Sequence, residues 1–162
     1  METPMVYQVD TRPCNPLVSV VVVNYNAGVL LSKSVMDVLA STVPVEVFVV
    51  DNGSSDDSIK VLRDRIGPDP RLYIIETGRN LGFAKVVNIA LRRATGDYCL
   101  VLNPDCLVQT DTLEKVIHAF MLDPEVGVAG CLIRNPDGSE QAGGRRLVPT
   151  PWRSFVRVMN LD

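Results

Sequence analysis

The chain has 162 residues, 46% of them hydrophobic and 22% charged, with 16 Lys and Arg against 19 Asp and Glu for a net charge of −3. That length suits one domain and needs no disulfide or metal to staple it. The composition excludes global disorder, and the lack of an overall basic field excludes a protein that lives on nucleic-acid phosphates.

Residues 1–16 carry Pro4, Pro13 and Pro16 without periodicity and read as an irregular arm. Residues 1–10 contain Glu2 and Asp10 and no base, unlike a secretory signal, and no apolar run approaches the ~20 residues of a membrane helix. A cytoplasmic protein is expected. From residue 17 two patterns alternate. β-branched and apolar runs occur at Val18–Val23, Val45–Val50, Leu72–Ile75, Tyr98–Leu102 and Val126–Ile133. Helical stretches lie between and after them at Val29–Leu39, Ser58–Ile66, Phe83–Ala94 and Leu113–Leu122. This alternation predicts an α/β domain over residues 17–133, with a mostly parallel sheet and flanking helices.

The punctuation agrees. Ser54-Ser-Asp-Asp57 and Thr110-Asp-Thr-Leu-Glu114 supply N-caps and first-turn acids, and Gly67-Pro68 and Gly96 mark helix ends. Phe83, Val86, Val87, Ala90, Leu91 and Ala94 form one apolar stripe, expected to be core. Residues 134–162 form a separate segment. Asn135-Pro-Asp-Gly138 predicts a turn between two short extended pieces. Arg145 to Asp162 then holds four arginines against one acid, with Trp152, Phe155, Val156 and Met159 at helical spacing.

Cys14, Cys99, Cys106 and Cys131 show no Cys-x-x-Cys spacing and read as free thiols, Cys99 and Cys131 within apolar runs. The single histidine, His118, cannot build a multi-histidine metal site and reads as a structural or surface residue.

In an open parallel sheet, ligands bind beyond the carboxyl ends of the strands. The segments there are polar: Asn24-Tyr-Asn26, Asp51-Asn-Gly-Ser-Ser-Asp-Asp57, Gly78-Arg-Asn-Leu-Gly82 and Asn103-Pro-Asp105. Asp51 can accept hydrogen bonds from a pyrimidine N–H or a ribose hydroxyl, or it can cap the turn into the next helix. Asp105 is a hard oxygen donor suited to Mg2+ or Mn2+ on a diphosphate, or it is a turn residue before Thr110. Arg79 and Lys85 can offset phosphate charge.

Four segments together, Val18-Ser-Val-Val-Val-Val-Asn-Tyr-Asn26, Val49-Val-Asp-Asn-Gly-Ser-Ser-Asp56, Arg79-Asn-Leu-Gly-Phe-Ala84 with Asn88, and Leu102-Asn-Pro-Asp105, resemble glycosyltransferase family 2 over roughly residues 17–150. The Asn-Pro-Asp form is similar to the rhamnosyltransferase-like branch. The resemblance implies the GT-A fold, which is Rossmann-like. It also implies an inverting transfer of a sugar, rhamnose in that branch, from a UDP- or dTDP-sugar to a glycan or lipid-linked hydroxyl. Asn24, Tyr25 and Asn26 would line the base pocket, Asp51 would meet base or ribose, and Arg79 and Asn80 would stand near the nucleotide. Asn103 replaces the first acid of the Asp-x-Asp metal motif and would bond ribose, while Asp105 would hold Mg2+ or Mn2+.

The family's catalytic base is an acid well downstream of the metal motif. Asp111, Glu114, Asp123, Glu125, Asp137, Glu140 and Asp162 do not stand in such a motif, so no base is named. The resemblance implies a donor-binding half whose C-terminal part of the fold is missing, and which is inactive alone. The alternative is a non-catalytic nucleotide-binding or self-associating module. The apolar spacing in 150–160 suits a homodimer, with folding back on the sheet or contact with the cytoplasmic membrane face as alternatives. Other α/β readings fit worse: Asn24-Tyr-Asn-Ala-Gly28 lacks the glycines of dinucleotide-binding, Walker or nucleotidyltransferase loops, and the paired acids of a phospho-receiver.

Overall fold

The computed structural model describes residues 15–141 except 124 and 136. The expected N-terminal arm up to residue 14, the basic amphipathic tail and the self-association segment 150–160 lie outside the described residues. Two compact units divide the chain, residues 1–123 and 124–162.

In the first unit, strands and helices alternate as β1 (Val18–Asn24), α1 (Val29–Leu39), β2 (Val45–Asp51), α2 (Ser58–Ile66), β3 (Leu72–Glu76), α3 (Phe83–Leu91), β4 (Tyr98–Leu102) and α4 (Thr112–Leu122). The strands form one parallel sheet in the order β3-β2-β1-β4. The two central strands are buried along their whole length. That explains why they read as near-continuous valine runs: a parallel strand covered on both faces has no polar side to show. The outer strands β3 and β4 carry exposed positions.

Each sheet face has its own apolar layer. Val18, Val20 and Val22 of β1 and Val45, Val47 and Val49 of β2 pack with Leu31, Val35 and Val38 of α1, Ile59 and Leu62 of α2, and Leu113 and Ile117 of α4. On the opposite face Val21, Val23, Phe48 and Val50 meet Val86, Val87 and Ala90 of α3. Burying such aliphatic side chains contributes roughly 1.5–3 kcal/mol each, an upper bound set by the extended-chain reference.

At the amino ends of the strands a buried polar contact joins distant segments. Ser19 Oγ donates to Glu46 Oε1 at 2.6 Å, Thr95 N donates to the same oxygen at 2.6 Å, and Gly96 N donates to Ser19 Oγ at 2.8 Å. Burial pushes the Glu46 carboxyl up, but the hydrogen bonds from Ser19, Thr95 and Gly96 outweigh it and hold the group below its ordinary value.

Several expectations change. α3 ends at Leu91, three residues short of the predicted Ala94. Gly96 is therefore no helix cap; it is glycine because a Cβ there would lie 2.6 Å from Ser19 Oγ and 2.7 Å from Ser19 N. Phe83 is 55% exposed rather than core, because the first turn of α3 carries it away from the apolar layer. Cys99 is exposed on β4, where the apolar layer of α3 reaches only β1, β2 and β3.

In the second unit, Val126–Ile133 forms no strand. Val126, Val128, Leu132 and Ile133 are exposed, as is Cys131. The predicted turn after it is present. Gly138 N donates to Asn135 O at 2.9 Å, and Arg134 pairs antiparallel with Glu140.

Candidate functional site

The strand order reverses between β1 and β4: the chain steps from β1 outward to β2 and β3, then returns to β4 on the other side. Such a switch point opens a crevice beyond the carboxyl ends of the strands. Register sets what lines it. Asn24 of β1 lies level with Asp51 of β2, Asp51 level with Glu76 of β3, and Val22 level with Leu102, the last residue of β4.

Asn24 is fully buried. Its Nδ2 lies 2.7 Å from Asp51 Oδ1, 3.0 Å from Ser54 Oγ and 2.7 Å from Ser58 Oγ. Two amide hydrogens serve three acceptors, so one contact is shared. The nitrogen must face Asp51, because an amide oxygen there would meet the carboxylate; the cost is a buried Asn24 Oδ1 without a hydrogen-bond partner. Asp51 is 6% exposed, and its Oδ2 accepts from Ser54 N at 3.1 Å. Each carboxylate oxygen keeps a lone pair beyond these bonds.

The turn after β1 is tied to the loop after β2. Asn26 takes a left-handed backbone (φ 55°), which asparagine tolerates better than most residues. Its N–H donates to Ser54 Oγ at 2.9 Å and its Oδ1 accepts from Ser55 N at 2.8 Å. Asp56 holds the next step: Oδ2 accepts from Gly28 N at 2.9 Å and Oδ1 from Ser58 Oγ at 2.6 Å. Burial pushes its carboxyl up, but the bonds from Ser58 and Gly28 outweigh it and lower it. Between these anchors Tyr25 is 54% exposed.

The loop after β3 is tied to the same hub. Thr77 N donates to Asp51 O at 3.0 Å, and Thr77 Oγ1 lies 2.9 Å from that oxygen and 2.7 Å from Arg79 O. Asn52 Nδ2 donates to Asn80 Oδ1 at 3.1 Å, and Asn52 Oδ1 accepts from Leu81 N at 2.7 Å. Asn80 Oδ1 also accepts from Gly82 N at 2.9 Å, so that oxygen is occupied within the protein. Arg79 is exposed and makes no side-chain hydrogen bond or ion pair among the described residues.

The end of β4 is held differently. Asn103 and Asp105 are exposed on a tight turn closed by Cys106 N donating to Asn103 O at 3.1 Å. Burial and the neighbouring Asp105 carboxylate push the Cys106 thiol up. Among the described residues no three acidic, histidine or cysteine side chains converge on one point. A divalent ion that draws most ligands from water and substrate phosphates needs only one or two protein carboxylates, so the exposed hard oxygens of Asp105 fit it.

The structure thus joins Asn24 to Asp51 and sets Asn26 and Asn80 in the surrounding net. It leaves Tyr25 and Arg79 exposed around that net, and Asn103 and Asp105 exposed at the end of β4. The sequence reading missed Asn52, Asp56, Ser58 and Thr77 as organisers; the Asp51–Asp57 run was visible, but its partners lie about 30 residues away. Three of the downstream acids have partners among the described residues: Asp111 pairs with Lys115 at 2.7 Å, Glu114 accepts from Thr42 Oγ1 at 2.9 Å and Asp137 from Ser139 Oγ at 2.6 Å.

Residues 19–160 match the family model described as glycosyl transferase family 2. The N-acetylglucosaminyl-diphospho-decaprenol L-rhamnosyltransferase of Mycobacterium tuberculosis is 30% identical over 140 residues, covering 79% of this chain and 45% of that protein. A mannosyltransferase from Pyrobaculum calidifontis, solved in complex with GDP-Man and Mn2+, aligns with a TM-score of 0.68 at 29% identity, over 81% of this chain and 40% of that one. TarS from S. aureus in complex with UDP-GlcNAc shares the fold, with a TM-score of 0.59 at 21% identity over 73% of this chain and 38% of that one. The chain therefore spans less than half the length of each of these proteins. Its parallel sheet with flanking helices is the GT-A architecture.

Proposed function

The chain belongs to glycosyl transferase family 2, and from that premise we propose that it is the donor-binding part of an inverting, rhamnosyltransferase-like enzyme. It would take a sugar from a nucleoside diphosphate carrier to a hydroxyl of a glycan or lipid-linked acceptor. One observation carries this reading. The buried Asn24–Asp51 pair sits level at the ends of the two central strands, with Tyr25 and Arg79 exposed on the flanking loops. A carboxylate fixed by donors on both oxygens can still accept from a base N–H or a ribose hydroxyl without reorganising. Tyr25 offers a ring face to the base, and Arg79 and Lys85 place positive charge for the diphosphate. Asn103 is proposed to bond the ribose. Asp105 would hold Mg2+ or Mn2+, which when bound acts as a Lewis acid on the leaving diphosphate.

No general base is assigned. The relatives carry more than half their length outside the matched region, which leaves room there for the acceptor side. No helix among the described residues is long and apolar enough to cross a membrane. A cytoplasmic protein working peripherally at the membrane face suits a lipid-linked acceptor. A second reading is a nucleotide-binding module without activity of its own. Calorimetry with UDP, dTDP and GDP, with and without Mn2+, tests the site; no binding to any of the three with metal present overturns it. A transfer or donor-hydrolysis assay on the same sample then separates enzyme from module.

A further inference from the structure

The loop carrying Arg79 is held to the end of β2 by side-chain hydrogen bonds and a close backbone approach. Asn52 is 5% exposed, and its side-chain amide grips the loop at two successive residues, donating to Asn80 Oδ1 and accepting from Leu81 N. Its own N–H donates to Asn24 O at 2.8 Å, which ties the same residue to β1. Gly53 makes the approach possible. Its φ is +82°, and a Cβ there would lie 2.7 Å from Arg79 Cα and Arg79 C and 2.8 Å from Asn80 N. Those neighbours are backbone and cannot swing aside as a side-chain tip would. The Arg79 backbone is therefore fixed against the strand that ends in Asp51, while its side chain extends from a pinned Cα.

We propose that Asn52 and Gly53 are positioning residues that set the Arg79 guanidinium for the nucleotide, with Asn80 Oδ1 serving the clasp. The proposal rests on reading this edge as a nucleotide site. Its physical basis is the cost of ordering a loop. When the Arg79 backbone is already held, binding through its side chain has no loop backbone to order, so the clasp raises affinity without touching the ligand. A purely structural clasp would stabilise the fold and leave the contribution of Arg79 unchanged.

A double-mutant cycle separates the two. Nucleotide affinity is measured by calorimetry in Mn2+ for the wild-type chain, Asn52→Ala, Arg79→Ala and the double variant, with thermal unfolding followed on each. The expected result is that either single change weakens binding about tenfold, and that the double variant binds no worse than Arg79→Ala. Gly53→Ala should reproduce the Asn52→Ala loss. Hydrogen exchange at the Leu81 and Gly82 amides should speed up in both clasp variants. Should Asn52→Ala not fold, Asn52→Ser carries the test, since its hydroxyl is polar and uncharged but too short to hold both Asn80 Oδ1 and Leu81 N. Additive losses in the double variant, or full affinity in Asn52→Ala, overturn this proposal while the nucleotide site stands. Absence of wild-type binding to UDP, dTDP and GDP overturns the site and the positioning role together.

Discussion

The two sides of the carboxyl edge are built to different standards. Around β1, β2 and β3, the residues after each strand are tied into one net centred on Asp51, Asn52 and Ser54, with Asn24 fully buried beneath it. At the end of β4, Asn103 and Asp105 stand exposed on a turn closed by one backbone bond. On the proposed function, the difference teaches which groups would have to be placed in advance. A base and ribose are recognised by direction, so their acceptor has to be held before they arrive. A divalent ion takes most of its ligands from water and phosphates, so one exposed carboxylate serves until the substrate completes the shell.

The sharpest way to break this contrast is to remove the buried anchor on the organised side. Asn24→Leu takes the Nδ2 donor from Asp51 and leaves a buried carboxylate oxygen without its partner. The expected loss is about 3 kcal/mol of stability, since an unsatisfied charged group costs more than a neutral one. Urea unfolding measures it, and nucleotide affinity should fall with it. A loss below about 1 kcal/mol would mean that the net is decoration around a strand end that needs no support.

The same operation on the other side should separate binding from folding. Asp105→Ala removes an exposed carboxylate and should leave stability within about 0.5 kcal/mol. Nucleotide binding in Mn2+ should weaken roughly 10–100-fold, the scale seen when a metal site loses a supporting group. EDTA should bring the wild-type protein down to the level of the variant and leave the variant unchanged. Wild-type affinity indifferent to both Asp105→Ala and EDTA would remove the metal from this site.

The same contrast governs what could be read in the sequence. Elements with a repeating local signal were legible: the predicted bounds of α1, α2 and β4 agree with the observed ones, and the polar segments at the strand ends stood out. Roles set by partners far along the chain were not. Ser54–Asp57 looked like a helix cap, yet Ser54 serves Asn24 and Asn26, and Asp56 serves Gly28 as well as the first residue of α2. Periodicity also promised too much at Phe83, which keeps the spacing of the apolar stripe but not its burial. Val126–Ile133 has the composition of a strand, but composition makes a strand only where a neighbour offers a run of hydrogen bonds, and among the described residues the segment is met only at its end, where Ile133 O accepts from Gln141 N at 2.9 Å.

A third place on the same strands tests whether stability and binding are separable at all. Glu46 lies at the amino end of β2, level with Ser19 and at the opposite end of the strand from Asp51. Because Ser19, Thr95 and Gly96 favour its charged form over the cost of burial, its folded-state value is depressed below 4.5. A depressed carboxyl contributes stability that is fully present above the unfolded-state value and is lost as pH falls through the folded one. Glu46→Gln keeps the shape and an acceptor oxygen but not the charge. It should cost about 1 kcal/mol near neutral pH, and the gap to wild type should close as pH is lowered below 4.5. Nucleotide affinity should not change, since the substitution touches neither the net around Asp51 nor the turn at Asp105. A gap that persists in acid would show that packing, rather than charge, makes Glu46 matter. A change in affinity would show that the two ends of the sheet are coupled, and the contrast between the two sides of the site would then extend through its core.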